Sequence, residues 1–294
     1  MGRAFPAQLA GEDTGMTGKG PGYWNSVGAS WRHDRQTLWR CHSDAVNLSL
    51  LSLWLQAGKA DCVLKTDLFD EMCSEGLYPI LAAHARTFVG IDLAATTLRG
   101  ARSRHAGILG VAADVLRLPF ADAAFDLIIS TSTLDHFESG AAIVESLAEL
   151  FRILRQGGHL IITMDNPTNQ IIRIRNALPF RLRSFLGITP YYVGATCNAM
   201  DLQNILIETG FGVLEITTIM HCPRVFAVAV ARLLERCAPA WLKRRFLRIL
   251  MAFERLERLP THRLTGHFTA ILALKKTSAP SAGKGASGVV DHAM

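Results

Sequence analysis

No stretch of this 294-residue chain holds the roughly 18 to 20 consecutive apolar residues of a membrane helix, although 49% of its residues are hydrophobic. The opening MGRAFPAQLAGEDTG lacks the unbroken apolar stretch of a secretory leader, and Pro6 stands where a myristoylation signal requires Ser or Thr. Six cysteines, Cys41, Cys62, Cys73, Cys197, Cys222 and Cys237, form no C-x-x-C pair and no cluster with histidine. Zinc or another metal is therefore not indicated, and reduced thiols in a cytoplasmic protein are expected. The net charge is only +6. Its basic residues are spread over amphipathic segments with no aromatic-basic platform, which makes nucleic acid a poor partner. There is no internal repeat, and the length suits one large domain or two small ones.

What the chain does have is concentrated between Thr87 and Ser130. Three short apolar runs, Thr87 to Ile91, Ile108 to Ala113 and Phe125 to Ile129, each have an acidic residue at or beside them: Asp92, Asp114 and Asp126. Apolar runs of this length, separated by one helical segment and one turn, suit a parallel sheet buried on both faces. Ligands of such sheets bind beyond the carboxyl ends of the strands, so Asp92 and Asp114 are placed to meet one. Asp92, just after the second strand, suits two ribose hydroxyls as donors. Asp114 suits an adenine amino group, with the backbone of Val115 alongside. Asp126, at the opening of its strand, is expected to be structural.

VGIDL, ADVLRLPFADAAFDLIIS and LAELFRILRQGGHLIIT, in this order and spacing, resemble the second to fifth strand motifs of class I S-adenosylmethionine-dependent methyltransferases. The branch with D-x-x-x-LPF followed by FD is the most similar. The likeness covers about Ala60 to Gly212, with a weaker echo to Lys276. It implies an α/β fold: a doubly wound, seven-stranded, mostly parallel Rossmann-like sheet with helical lid insertions. It also implies S-adenosyl-L-methionine as cofactor, with Leu93 and backbone carbonyls near Ser130 among its contacts. Methyl transfer to a small acceptor on oxygen, carbon or nitrogen follows, a hydrophobic acceptor if the apolar lid segments are a guide.

The sequence departs from the family at its first motif. After an expected strand over Asp61 to Leu64, where most members carry a glycine-rich turn, this chain reads Lys65-Thr66-Asp67-Leu68-Phe69-Asp70-Glu71, with no glycine until Gly76. The loop must take another path from the usual one. Either side chains of Lys65, Thr66 and Asp67 reach the methionine end of the cofactor, or the site is degenerate and the chain is a non-catalytic or accessory protein. Retained binding is the expectation, because Asp92 and Asp114 are intact. A simpler role for Lys65 is an ion pair with Asp67, Asp70 or Glu71.

The loop Ser130-Thr131-Ser132-Thr133-Leu134-Asp135-His136-Phe137 is not the N-P-P-Y motif of enzymes that methylate amino groups of DNA bases or of protein glutamine. His136 is the candidate general base, oriented by Asp135, although methyl transfer needs mainly alignment. Asp165 and Asn166 close the next strand and are candidates for the acceptor pocket, with Asn-Pro equally a plain turn. Tyr191 and Tyr192 either stack on the acceptor or pack in the lid.

The expected organisation is an arm over 1–22, a helical lead-in over 23–59 containing His33, His42 and Asn47, and a methyltransferase domain over 60–276. Lid insertions fall at about 169–199, with Arg173, Arg175, Arg181 and Arg183, and at 224–262; a disordered tail covers 277–294. Gly140 to Leu154 carries a helical stripe ended by Gln156-Gly157-Gly158, and HFTAILALK is a final antiparallel strand. In 224–262, Lys243, Arg244, Arg245 and Arg248 alternate with Trp241, Phe246 and other apolar residues. That pattern suits either a membrane surface or a helical hairpin packed on the domain.

Overall fold

The computed structural model describes residues 20–31, 37–55, 60–179, 182 and 191–276. Most of the expected arm, the tail, His33, Arg181 and Arg183 lie outside the described residues. Two helices lead in, α1 (Pro21–Ser30) and α2 (Thr37–Trp54). Helix α1 starts inside the segment expected to be an arm, and Pro21 occupies its first turn, where no amide hydrogen is needed.

The domain then runs β1 (Ala60–Lys65), α3 (Phe69–Cys73), α4 (Tyr78–His84), β2 (Ala85–Asp92), α5 (Ala95–Arg104), β3 (Leu109–Ala112) and β4 (Phe125–Thr131). It continues with α6 (Gly140–Ile153), β5 (Leu154–Asp165), α7 (Gln170–Ala177), α8 (Ala199–Thr209), β6 (Phe211–Ile219), α9 (Arg224–Cys237), α10 (Ala240–Ala252), α11 (His262–Thr265) and β7 (Phe268–Lys275).

The strands form one seven-stranded sheet in the order β3-β2-β1-β4-β5-β7-β6. Strand β7 is antiparallel to both β5 and β6, and the other pairings are parallel. This is the expected doubly wound architecture, with the chain reversing its direction of winding between β1 and β4. Alternate residues of the central strands serve two cores, as the strand period of two requires. Val63, Leu127, Ile129 and Ile161 face the lead-in side, and Leu64, Ile128, Leu160 and Ile162 face the side of α6 and α8. Helices α9 and α10 both pack against α2.

One local expectation changes and another holds. Helix α6 ends at Ile153 with Leu154 already extended, so the glycines after Gln156 do not cap it; Gly157 takes φ +75° inside β5, where the register with β4 shifts. Asp126 is structural as expected: it accepts from the Cys62 amide at 2.8 Å and pairs with Arg155 at 2.7 Å, tying β4 to β1 and β5.

Candidate active site

A cleft opens where the winding reverses, beyond the carboxyl ends of the parallel strands, the position at which sheets of this kind bind ligands. Its floor is made by Thr66 and Asp67 after β1, Asp92 and Leu93 after β2, Asp114 and Val115 after β3, and Thr131, Ser132, Thr133 and His136 at and after β4. Trp24 of α1, Trp39 and Arg40 of α2, Tyr191 and Arg224 form its roof and far wall.

The glycine-free loop reaches the cleft without positive φ at any residue from Lys65 to Glu71. Its room comes from the neighbouring strand: a Cβ on Gly90 of β2 would lie 2.5 Å from Leu68 Cδ2, so the absent side chain there lets Leu68 tuck down against the sheet. Asp92 fixes the loop by accepting from the Leu68 amide at 3.2 Å through Oδ2, while Oδ1 accepts from Ala94 at 2.7 Å. Burial, with Asp67 nearby, pushes the Asp92 carboxyl up to about 7. Burial also raises Asp67, against the pull of Lys65. Asp114 accepts from the Leu116 amide at 3.0 Å, which turns the chain so that Val115 joins the cleft wall.

Lys65 does not reach the ligand space. It is wholly buried, with Nζ donating to Glu71 Oε2 at 2.8 Å and to the Asp67 carbonyl at 2.6 Å. Burial alone would lower its pKa, but Glu71 beside it holds the ammonium above its ordinary value. The ion-pair alternative is therefore the one the geometry favours, in a buried rather than a surface setting. Thr66 lines the cleft, and its hydroxyl links Ser130 Oγ at 3.0 Å to Thr133 Oγ1 at 2.8 Å. Ser130 itself is buried beneath that link.

His136 sits in the cleft between the rings of Trp24 and Tyr191. Its Nδ1 is 2.8 Å from the Tyr192 carbonyl, which only accepts, so Nδ1 carries the hydrogen and Nε2 the lone pair of the neutral ring. Asp135 Oδ1, buried without a hydrogen-bond partner among the described residues, lies 3.7 Å from Nε2.

The remaining candidates differ in how far they reach the cleft. Asp135 is 1% exposed and lies behind His136, where Oδ2 accepts from Ser132 Oγ and the Asp165 amide. Asp165 is 2% exposed and is taken by Arg175, with His267 Nε2 at 3.4 Å. Asn166 is a buried turn residue whose side chain donates to the carbonyls of Arg263 and Gly266. Tyr191 lines the cleft, whereas Tyr192 contributes backbone: its amide donates to the Tyr23 hydroxyl and its carbonyl accepts from His136.

Of the lead-in residues, Asn47 lines the cleft. His42 is fully buried against Cys222, and that burial lowers its pKa to about 4. The sequence reading missed Arg40, paired with Asp70 and lying 4.7 Å over the Phe69 ring, and Arg224, whose Nη2 donates to the Tyr191 hydroxyl at 3.1 Å. Neither carries a local signal, because each enters the cleft from a helix remote in sequence.

Residues 70–162 match the methyltransferase domain family. The match begins just after the centre of the glycine-free loop. Against the solved S-adenosylmethionine-dependent methyltransferase of Mesorhizobium loti the chain superposes with a TM-score of 0.52 at 18% identity, over 79% of this chain and 99% of that one. The chain has the fold of the class I methyltransferases. Over 160 residues it is 26% identical to a probable S-adenosylmethionine-dependent methyltransferase of Mycobacterium tuberculosis, a span of 54% of this chain and 53% of the relative. It is 32% identical over 93 residues to a phthiotriol/phenolphthiotriol dimycocerosates methyltransferase of Mycobacterium ulcerans, covering 30% and 32% of the two chains. The chain thus spans about half the length of the first of these relatives, and a third of the second.

Proposed function

We propose that this chain transfers the methyl group of S-adenosylmethionine to a small acceptor bound under the lead-in helices. The observation that carries the reading is the set of carboxylates at the carboxyl ends of β1, β2 and β3. Asp92 has unused lone pairs on both oxygens for two ribose hydroxyls, and Asp114 has them for an amino group. Thr131 Oγ1 at the end of β4 is buried without a hydrogen-bond partner among the described residues, which suits a polar group of the cofactor's methionine end. Around that end Arg40 is paired with Asp70 and Lys65 with Glu71, which leaves Asp67 and Asp92 as the carboxyls in excess and favours a ligand with positive charge, as a sulfonium and an ammonium provide. The bound cofactor supplies an electrophilic methyl group.

The protein's part is alignment, exclusion of water by Trp24, Trp39 and Tyr191, and removal of a proton where the acceptor is a hydroxyl. His136 Nε2 takes that proton, and Asp135 stabilises the resulting imidazolium. His136→Ala is expected to slow label transfer to a hydroxyl acceptor about a hundredfold with S-adenosylhomocysteine affinity unchanged; full turnover in the variant removes the residue from the mechanism. The overall reading is tested with methyl-labelled S-adenosylmethionine and organic-extractable small molecules. Label in an extractable product with the wild type, absent with Asp92→Ala, supports it, and no transfer to any fraction by a protein that binds cofactor favours an accessory role.

The segment 224–262 acts as part of the lid and as a membrane-surface contact. Val225, Phe226, Val230 and Leu233 of α9 and Trp241 and Ile249 of α10 are exposed beside exposed Arg244, Arg245 and Arg248. An apolar stripe with flanking arginines complements an anionic lipid surface. Among the described residues no helix is long and apolar enough to cross a membrane, so contact would be peripheral. In flotation with phosphatidylglycerol liposomes the protein is expected to rise with the vesicles, and Phe226→Glu/Leu233→Glu to stay behind. Wild-type protein left in the soluble fraction would retire this contact. With six unpaired cysteines, the cytoplasm is the compartment we assign.

A further inference from the structure

The cleft has two ends of opposite character. The carboxylates lie on the β1, β2 and β3 side, whereas the far end is built from Thr163 of β5, Phe268 of β7, Met220 after β6 and Arg224 at the start of α9. Met220 holds φ +62°, a left-handed conformation uncommon for its side chain, at the turn that brings Arg224 to the wall. On the methyl-transfer reading the ribose and adenine partners are at the opposite end, which leaves this far end to the acceptor.

Arg224 is the unusual group there. Its Nη1 is 3.2 Å from His267 Nε2 and its Nη2 is 3.1 Å from the Tyr191 hydroxyl, and neither partner is an anion. Burial and the flanking arginines lower the pKa of His267 well below its ordinary value, so the imidazole stays neutral. The other two arginines of this region are matched, Arg40 by Asp70 and Arg175 by Asp165. Arg224 forms no ion pair among the described residues; the carboxylate that acts on it from beyond His267, Asp165, is already paired with Arg175. Arg224 is partly exposed, and a guanidinium drawn against an apolar wall is normally paired with a carboxylate or phosphate, whose two oxygens fit its planar fork. Around it the wall is apolar: the Trp39 ring centroid lies 5.8 Å from the guanidinium carbon, and Tyr191, Met220 and Phe268 complete the surface.

We infer that Arg224 is the specificity anchor for the acceptor, and that the acceptor carries a carboxylate or phosphate on a hydrophobic body. This inference rests on the methyl-transfer reading, since that reading assigns the two ends of the cleft. The same carboxylate-guanidinium chemistry could serve the amino-acid end of the cofactor, so the test separates the two.

Octanoate, octyl phosphate and the neutral octanamide serve as probes, each titrated by ligand-observed NMR into protein saturated with S-adenosylhomocysteine. The wild type is expected to bind at least one of the anions ten or more times more tightly than the amide. Arg224→Gln should lose that preference, Arg224→Lys should retain part of it, and S-adenosylhomocysteine affinity should change less than twofold in either variant. Equal binding of anion and amide, failure of both anions to bind the cofactor-loaded wild type, or an unchanged preference in Arg224→Gln would overturn the inference. A parallel loss of S-adenosylhomocysteine affinity would also overturn it, by giving Arg224 to the cofactor. Wild-type protein that binds no S-adenosylhomocysteine instead contradicts the parent reading. In that case the anion preference, measured without it, still reports on Arg224.

Discussion

Asp92→Ala is expected to lose at least a hundredfold in affinity for S-adenosylhomocysteine. Each oxygen of Asp92 already accepts one backbone amide, from Leu68 and Ala94, which fixes the carboxylate in the cleft with a further lone pair on each oxygen. Two charge-assisted hydrogen bonds from a ribose are worth about 1.5 kcal/mol or more each, and about 3 kcal/mol is a hundredfold. The wild type also carries a pH signature. The Asp92 carboxyl titrates at about 7 because burial disfavours its charge. The carboxylate is the form that accepts both hydroxyls, and it is about a tenth of the population at pH 6 and most of it at pH 8, so affinity rises roughly tenfold across that interval. Titration calorimetry at the two pH values checks this. Asp92→Asn should flatten the profile as well as weaken binding; an affinity that falls with pH, or survives in Asp92→Ala, contradicts the assignment.

Lys65→Met is expected to lower the thermal midpoint by about 10 °C. Both Lys65 and Glu71 are inaccessible to solvent, and their contact also involves the Asp67 carbonyl and the Leu77 amide, which donates to Glu71 Oε1 at 2.9 Å. Removing one member of a buried pair leaves an uncompensated charge, at about 3 to 5 kcal/mol. For a domain of this size 1 kcal/mol corresponds to roughly 2 to 4 °C. Burial raises the Glu71 carboxyl against the pull of Lys65, so without the lysine it should protonate, and the deficit should shrink as pH falls. The double variant Lys65→Met/Glu71→Leu should recover part of the loss. Differential scanning calorimetry reads all three, and a drop under about 2 °C in Lys65→Met would mean that the pair does not hold the loop.

These two residues also mark how far the sequence could be read. Asp92 and Asp114 were legible because a strand's end dictates where its next residue stands, and the order of apolar runs dictated the sheet. Lys65 stands at a strand end too, but its direction depends on whether Glu71, six residues on, is buried beneath the loop, and no local pattern reports that. Asp135, Asp165 and Asn166 lie on the expected side of the sheet, where partners within the protein, rather than open cleft, surround them. Ser132, at φ +51°, turns the chain between β4 and His136, and Arg175 from α7 claims Asp165.

Gly90 has a similar lesson. The glycine missing from the loop is answered on the adjacent strand, where a side chain would collide with Leu68. Arg40 and Arg224 were hidden because each sits in a segment whose composition already had a sufficient explanation as a packed or surface helix. Only the packing of α9 against α2 brings Arg224 to the ring of Trp39.

The measurement that bears most directly on the whole account is calorimetric titration of the wild-type protein with S-adenosylhomocysteine at pH 8. Micromolar, one-to-one binding is the expected result, and it would establish that a first motif without glycine still holds cofactor. Absence of binding by a protein with a cooperative thermal transition would contradict the account and leave the methyltransferase fold here as a scaffold for something else.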